Sequence, residues 1–237
     1  MAGRKADDEY YTRREDVEAM LKPLLDMGEF AGKRILCPCD TEQSQYIQFF
    51  QDNGIDVTWD DRLDYDLFDF AAYDGVITNP PFSRSADFTR KIIEANKKAG
   101  TDFHFLCSYM SLTKAAVLDI VMAGRGHVES APKGRPFKFV KPDGSLKSIA
   151  TAIVSSYPQA ILQPPLVRLK DPEYAADGTP IYSHLPAIPE KWDGAIGVPG
   201  GFLYMAYDPS IHKICGAINP VVNGRKMFTK LLVEYVA

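Results

Sequence analysis

The chain has 237 residues, 46% of them hydrophobic, and its formal net charge is −4 at pH 7. These values are typical of a globular protein with a substantial core, they argue weakly against a nucleic-acid binder, and no apolar run reaches the length of a membrane span. Four cysteines without the spacing of a zinc site or of a disulfide framework favour free thiols in a cytoplasmic protein and no bound metal.

The first half of the chain alternates predicted helices and strands. Apolar residues at helical spacing predict helices over residues 15–27, 41–51, 85–98 and 112–122. Asp40 or Thr41 is placed to cap the second of them. Runs of apolar and β-branched residues predict strands over residues 35–39, 55–59, 75–78 and 103–107. This order predicts an α/β fold with a mostly parallel, Rossmann-like sheet and helices on both faces.

The pattern changes after residue 125 and becomes β-rich. Glycine and proline punctuate residues 125–147, and residues 158–195 carry most of the remaining prolines without a clear period, so both segments are predicted as loops or insertions near the substrate face. The remaining strands are predicted over residues 150–155, 202–207, 212–218 and 227–236, with a turn at Asn223-Gly224. We expect residues 1–237 to form one domain.

Charges are distributed unevenly along the chain. Aspartates crowd residues 52–74, whereas residues 125–147 are basic and include Lys133, Arg135 and Lys138. A basic loop beside a ligand site is a candidate for contact with nucleic-acid phosphates, and the alternative is a solvated face.

The stretch Asn79-Pro80-Pro81-Phe82 follows the predicted strand 75–78 and precedes a predicted helix. In an open α/β sheet this is where ligands bind. The Asn79 amide oxygen and the Pro80 carbonyl can accept both hydrogens of an exocyclic amine, which frees its lone pair to attack an electrophilic methyl group. Phe82 offers a flat face for an extruded base. The alternative is a Pro-Pro loop that merely ends a strand.

Acidic residues follow the first two predicted strands. Asp40 ends the first, and Asp60 and Asp61 end the second about 20 residues later. An acidic residue at this spacing suits the ribose diol of a nucleoside cofactor. Cys37-Pro38-Cys39-Asp40 replaces the usual glycine-rich turn, which disfavours a dinucleotide and is compatible with S-adenosylmethionine. Turn or capping aspartates remain the alternative.

Several blocks of the chain resemble the EcoRI-type adenine-specific DNA methyltransferases. They are Asp8-Glu9-Tyr10-Tyr11-Thr12, Cys37-Pro38-Cys39-Asp40, Ile77-Thr78-Asn79-Pro80-Pro81-Phe82-Ser83, Trp192-Asp193-Gly194-Ala195-Ile196-Gly197-Val198-Pro199 and Asn223-Gly224-Arg225-Lys226. The resemblance implies a class I methyltransferase fold, S-adenosylmethionine as the donor, and the N6 amine of adenine in double-stranded DNA as the acceptor. It also implies a cytoplasmic, prokaryotic or phage-encoded restriction-modification enzyme, which we expect to be a monomer without membrane contact.

Three groups of site residues are expected from the residues and the resemblance together. The catalytic group is Asn79, Pro80, Pro81 and Phe82. The cofactor group is Tyr11, Thr12, Cys39, Asp40, Asp60, Asp61 and Asp66. The DNA-contacting group is Lys133, Arg135, Lys138 and Tyr157, the last as the second base-contacting aromatic residue.

Three other functions remain open from the sequence. The first is methylation of another amine, on RNA adenine or on a protein glutamine, since the Asn-Pro-Pro motif serves these acceptors too. The second is an inactive nucleoside-binding module that occupies DNA, against which the intact Asn79-Pro80-Pro81-Phe82 argues. The third is a hydrolase or oxidoreductase, for which the chain has no nucleophile elbow, phosphate loop or zinc spacing.

Overall fold

The computed structural model describes residues 10–158 apart from 63, 110, 113, 130 and 132–135, and beyond these it describes short strands between residues 173 and 235. The chain divides into two compact units, Met1–Leu162 and Gln163–Ala237. One domain over residues 1–237 stays a prediction. Within the described part of the chain, no helix has the length and apolar character needed to cross a membrane.

The first unit alternates strands and helices, as the sequence predicts. Its helices are α1 (Arg14–Asp26), α2 (Gln45–Asp52), α3 (Ser85–Ala99) and α4 (Ala115–Met122). Its strands are β1 (Tyr11–Thr12), β2 (Ile35–Leu36), β3 (Val57–Thr58), β4 (Gly75–Thr78), β5 (Asp102–Ser108), β6 (His127–Glu129), β7 (Phe137–Val140), β8 (Leu146–Ile149) and β9 (Thr151–Ser155). Short 3-10 turns lie at Tyr65–Leu67, Phe70–Ala72 and Phe82–Arg84.

Six strands form the central sheet in the order β3-β2-β4-β5-β9-β6. The first four are parallel, and β9 runs antiparallel between β5 and β6. The parallel strands β2 and β4 are buried throughout, as their continuous apolar and β-branched sequence predicts. A mixed, mostly parallel sheet is therefore the scaffold of the first unit.

Helices cover both faces of this sheet, because successive side chains of a strand point to opposite faces. Ile77 of β4 and Leu106 of β5 belong to a buried cluster that also contains residues of α1 and α2. On the other face Phe105 of β5 packs against Phe88 of α3, with ring centroids 5.3 Å apart. The predicted three-layer α/β arrangement is confirmed for this unit.

The prediction of a loop over residues 125–147 is wrong. Strand β6 belongs to the central sheet, while β7 and β8 form a hairpin whose first strand pairs with β1. Phe137 and Phe139 are buried and Lys138 between them is exposed, which is the two-residue period of a half-buried strand. The hairpin turns at Gly144, whose φ of +79° suits glycine. Glycine and proline at the ends of short strands concealed this period in the sequence.

Helix α2 begins later than predicted, and neither Asp40 nor Thr41 is its cap. Ser44 is the N-cap, and its hydroxyl accepts a hydrogen bond from the Tyr46 main-chain N–H at 3.2 Å. The helix ends at Asp52, one residue after the predicted end, and Gly54 follows with a φ of +68°. Asp40 is thereby left for a different contact.

The second unit contains β10 (Glu173–Tyr174), β11 (Pro180–Ile181), β12 (Ile196–Pro199), β13 (His212–Ile218), β14 (Val221–Val222), β15 (Arg225–Lys226) and β16 (Lys230–Tyr235). Its largest sheet is antiparallel, in the order β12-β16-β13. The predicted strand 212–218 is confirmed, and the last predicted strand is present as β16. Val222 pairs with Arg225, as the predicted Asn223-Gly224 turn requires. The predicted strand 202–207 lies outside the described residues, and β10 and β11 lie within the predicted loop 158–195.

Acid should destabilise the protein through His104, which is buried in β5 with its Nδ1 3.2 Å from the Ser155 hydroxyl. Burial lowers the pKa of His104 from 6.5 to about 4; nearby Glu129 opposes the shift and His127 adds to it. The unfolded chain therefore binds a proton that the folded chain does not. The free energy of unfolding is therefore unaffected by the titration of His104 above pH 6.5. It decreases by about 3 kcal/mol as the pH falls from 6.5 toward 4.

Urea unfolding of the wild type and of His104→Gln across this pH range measures the effect. We expect the free energy of unfolding of the variant to depend less on pH between 6.5 and 4. Equal pH dependence of the two proteins would contradict the assignment to His104.

Candidate functional site

The order of strands in the central sheet reverses between β2 and β4. From β2 the chain passes through α2 to β3 on one side, and it later returns to β4 on the other side of β2. Ligands of open α/β sheets bind at such a switch point, beyond the carboxyl ends of the strands. A cleft of about 930 Å³ lies there, lined by residues 39–45 after β2 and by residues 79–82 after β4. Residues 10–15, Asp61, Val140 and Pro142 complete its walls.

A buried carboxylate joins the two sides of the switch point. Asp40, which follows β2, accepts a hydrogen bond from the Ser44 hydroxyl on Oδ1 and one from the Thr78 hydroxyl on Oδ2, each at 2.6 Å. Ser44 caps α2, and Thr78 is the last residue of β4. Both distances are at the short end of the range for hydroxyl donors. Asp40 therefore fixes the start of α2 and the end of β4 relative to each other.

Thr78→Val should lower the free energy of unfolding by about 1–3 kcal/mol, because it removes a hydroxyl donor from a buried carboxylate while keeping the shape of the side chain. Thr78→Ser is the matched control, since it keeps the hydroxyl and loses only a methyl group. Urea denaturation of the three proteins measures the difference. If the Val and Ser variants have the same stability, the Thr78–Asp40 bond does not hold this edge of the sheet together.

The amide of Asn79 is oriented by the residue that precedes β1. Its Nδ2 donates to the main-chain carbonyl of Tyr10 at 2.8 Å. Its Oδ1 is buried and has no hydrogen-bond partner among the described residues. Leaving a buried acceptor without a donor costs about 1–3 kcal/mol, so such an atom needs an explanation. An N–H group of a ligand in the cleft would supply the missing donor.

The prolines after Asn79 shape a tight turn. The Pro81 carbonyl accepts the Arg84 N–H at 3.0 Å and closes the 3-10 turn Phe82–Arg84, whereas no main-chain N–H of the described residues donates to the Pro80 carbonyl. The Arg84 guanidinium pairs with Asp66 and lies 4.3 Å from the centre of the Tyr65 ring. The turn is thus held by a contact outside the cleft.

Aromatic rings form one wall of the cleft. Phe82 and Tyr10 lie with ring centroids 6.1 Å apart and planes inclined by 30°. The Phe139 ring of β7 contacts both of them, at 6.1 Å from Phe82 and 6.2 Å from Tyr10. The Lys147 ammonium of β8 donates to the Tyr10 hydroxyl at 2.8 Å. The hairpin β7–β8 therefore supports the wall from behind.

The structure brings most of the predicted cofactor residues to the cleft and leaves two outside its walls. The lining includes Tyr11, Thr12, Cys39, Asp40 and Asp61. Asp60 instead binds Arg62, whose hydrogen bonds lower the pKa of Asp60 to about 2. Asp66 pairs with Arg84. Of the two aspartates after β3, Asp61 is the one that faces the cleft. Within the described residues, no three His, Cys, Asp or Glu side chains gather as metal ligands.

The predicted DNA-contacting residues are not brought together. Tyr157 is buried near Gly75, the first residue of β4, and therefore at the amino ends of the parallel strands, opposite the cleft. Its ring centroid lies 5.6 Å from that of Phe30. A Cβ atom on Gly75 would come within 2.3 Å of its hydroxyl oxygen. The second aromatic residue of the site is therefore not Tyr157. Lys138 is exposed on β7. Lys133 and Arg135 lie outside the described residues.

Two contributors to the site were missed by sequence reasoning. Tyr10 lies inside the block Asp8-Glu9-Tyr10-Tyr11-Thr12. Strand β1, which follows Tyr10, has only two residues, so no alternation of apolar and polar residues predicts that β1 pairs with β7. Ser44 follows Thr41 by three residues, and serine and threonine are both favourable N-cap residues, so the sequence does not show which of them caps α2. In the structure Ser44 is the cap, and its hydroxyl also donates to Asp40.

Neither a protein-family model nor a curated relative matches this chain. Among solved structures, the chain is similar to the CcbJ methyltransferase from Streptomyces caelestis, with 11% sequence identity and a TM-score of 0.27 over 93% of this chain and 90% of that chain. A similarity of this size carries no argument about fold or function. The features that bear on function are therefore those of the cleft itself.

Proposed function

We propose that the protein transfers a methyl group from S-adenosylmethionine to the exocyclic N6 amine of adenine in double-stranded DNA. The observation that carries this proposal is the buried, unpartnered Oδ1 of Asn79 at the switch point of the sheet. It is an acceptor held in place for a donor that the described residues do not provide. The resemblance of the surrounding motif to the EcoRI-type adenine methyltransferases supports an amine as that donor.

The acceptor side of the cleft suits a planar amine. Asn79 Oδ1 and the Pro80 carbonyl can each accept one of its hydrogens, and together they draw the nitrogen lone pair out of conjugation. The nitrogen becomes cationic as its bond to the methyl carbon forms and the bond between that carbon and the donor sulfur breaks; one proton then leaves the nitrogen to water, so no general base has to act first. Fixed acceptors stabilise this developing charge more than they stabilise the neutral amine. The Tyr10 carbonyl holds Asn79 ready for that role.

The other side of the cleft suits the proposed donor. S-adenosylmethionine would supply an electrophilic methyl group on a positively charged sulfur. Glu42 and Asp61 line this side and favour a cation, and Asp61 follows the second strand of the sheet, where an acidic residue suits a ribose diol. Cys39 and Thr12 would complete the walls around the donor. The cleft volume of about 930 Å³ leaves room for an acceptor ring beside it.

Duplex DNA as the partner rests on the resemblance and on the charge of the hairpin β7–β8. A base in a duplex must be extruded before its amine reaches Asn79, and Phe82 offers the stacking surface. Arg13 and Arg14 beside the cleft pair with carboxylates of α1 and α2. We therefore assign phosphate contact to the basic hairpin, including Lys138, rather than to these arginines.

The acceptor is tested by incubating the protein with labelled S-adenosylmethionine and, separately, with duplex DNA, transfer RNA and a protein extract. We expect label in duplex DNA, recovered as N6-methyladenine after digestion. Label in RNA adenine or in protein glutamine instead would contradict duplex DNA as the acceptor, while the proposal of methyl transfer to an amine would stand. Absence of label in all three, with donor binding intact, would contradict the proposal of methyl transfer.

Asn79→Ala should lower the single-turnover methylation rate about 100-fold or more, roughly 3 kcal/mol, because it removes one preorganised contact to the transition state. Donor affinity should change little, since the Asn79 side chain faces the acceptor. Phe82→Ala should weaken acceptor binding by about 1–3 kcal/mol, and Phe82→Trp should retain much of it. Single-turnover kinetics with folding checked by circular dichroism measures these effects. If the folded Asn79→Ala protein has the wild-type rate, Asn79 has no catalytic role, and the Asn-Pro-Pro-Phe motif only ends strand β4.

Asp61→Asn should weaken binding of S-adenosylmethionine about ten-fold, and Asp60→Asn should leave it nearly unchanged. The two carboxylates are neighbours in sequence, but Asp61 lines the cleft and Asp60 is held by Arg62. A ten-fold change in affinity corresponds to about 1.4 kcal/mol, which one hydrogen bond to a charged group can supply. Titration calorimetry of the two variants makes the comparison. An equal loss in both, or a loss confined to Asp60→Asn, would place the ribose contact elsewhere.

A further inference from the structure

We infer that Tyr10 is the second aromatic substrate-binding residue of the cleft and that, with Phe82, it selects a flat ring as the acceptor. The inference rests on the proposed function, since it concerns the acceptor half of the same cleft. It assigns to Tyr10 the role for which the sequence offers Tyr157, a residue that the structure buries at the far edge of the sheet.

The Tyr10 ring occupies the position that this role requires. Tyr10 and Phe82 both line the cleft on the side of Asn79. Their ring centroids are 6.1 Å apart with planes inclined by 30°, so the two rings stack on each other within one wall of the cleft. A ring that stacks on either face needs a separation of about 3.5 Å between atoms. Because 6.1 Å is less than the roughly 7 Å that a ring inserted between them would need, a planar acceptor would lie across the cleft side of both rings, with its amine at Asn79.

The polar groups of Tyr10 fix this ring and the amide beside it. The Tyr10 carbonyl accepts the Asn79 amide N–H at 2.8 Å. The Tyr10 hydroxyl accepts a hydrogen bond from Lys147 at 2.8 Å, and the same ammonium lies 5.0 Å from the ring centre. Phe139 packs against the ring edge. Tyr10 thus fixes the position of its own ring and the orientation of the Asn79 amide. A flat substrate that contacts the ring can therefore present its amine to Asn79 Oδ1.

A wall with two aromatic rings also discriminates among acceptors. Stacking on aromatic faces is sequence-tolerant and favourable for any nucleobase, because every base presents a π surface. The side chain of a glutamine has no ring and would gain little from a second aromatic residue. Among the amines that an Asn-Pro-Pro motif can serve, two bordering rings favour a nucleobase over a protein amide.

Side-chain replacement can separate the ring from the amide contact, because Asn79 is held by the main chain of Tyr10. Tyr10→Leu removes the ring and keeps an apolar side chain. Tyr10→Phe keeps the ring and loses the Lys147 bond. Tyr73→Leu is the control, since Tyr73 also belongs to an aromatic pair, edge-to-face with Phe68 at 6.4 Å between centroids, and it does not line the cleft.

The probe is free adenosine, observed by saturation-transfer NMR with the donor side filled by S-adenosylhomocysteine that is deuterated on its adenine ring, so that only adenosine contributes adenine ring protons. The amide of N-acetylglutamine serves as the comparison ligand. We expect transfer to the adenine ring protons in the wild type, Tyr10→Phe and Tyr73→Leu. In Tyr10→Leu we expect adenosine affinity to fall about ten-fold, with S-adenosylhomocysteine affinity unchanged within about two-fold. Where methylation is measurable, the KM for the acceptor should rise while kcat changes little.

The outcomes separate this inference from the proposed function. Wild-type adenosine affinity in folded Tyr10→Leu would overturn the role of Tyr10 even if duplex DNA is methylated. No adenosine binding by the wild type, or stronger binding of the glutamine amide, would also overturn it. Methylation of RNA adenine in place of DNA would overturn the duplex acceptor and leave the role of Tyr10 in force, since the ring that stacks is the same.

Discussion

The Asp40 carboxylate, with Thr78 and Ser44 donating to it at 2.6 Å, is the contact on which the cleft depends. A switch point in a parallel sheet brings two strand ends close together, but it does not fix their loops. Here one buried carboxyl group links the residue before Asn79 to the N-cap of the helix on the other side. Both halves of the cleft share this support.

A second constraint comes from the start of the chain. Strand β1 is two residues long, yet it pairs with β7 and brings Tyr10 against Asn79 and Phe82. The turn after Asn79 is thus held on three sides: by Thr78 from the sheet, by Tyr10 just before β1, and by Arg84 through Tyr65 and Asp66. Contacts from separate parts of the chain are what a preorganised site requires, since side chains with a single support shift by more than catalysis tolerates.

Sequence patterns predict the framework well where their period is long and unbroken. Helices α1 and α3 and strands β4 and β5 follow from apolar spacing, and Asn79 follows from a motif at a strand end. The β7–β8 hairpin was missed because its alternation spans four residues between glycines and prolines. Tyr157 was misassigned because a tyrosine near a strand end gives the same pattern whether it faces solvent or Phe30. Tyr10 was missed as a wall residue because its partners are about 70 and 130 residues away, and no local pattern encodes them.

The Asn79 Oδ1 has no hydrogen-bond donor within the part of the chain that the structure describes, and this is the feature of the cleft that bears most on its use. An acceptor buried without a donor costs about 1–3 kcal/mol, and a flip of the amide would not remove that cost, because it would turn Oδ1 toward the Tyr10 carbonyl oxygen and leave the amide N–H group unpartnered instead. The Tyr10 carbonyl therefore enforces the orientation that leaves Oδ1 unsatisfied. A fold retains such a cost when its neighbours over-determine the conformation, as Asp40, Tyr10 and Arg84 do here, and strained or unsatisfied groups concentrate at functional sites. The same contacts that stabilise the turn thus hold open the hydrogen-bonding position that a substrate amine would fill.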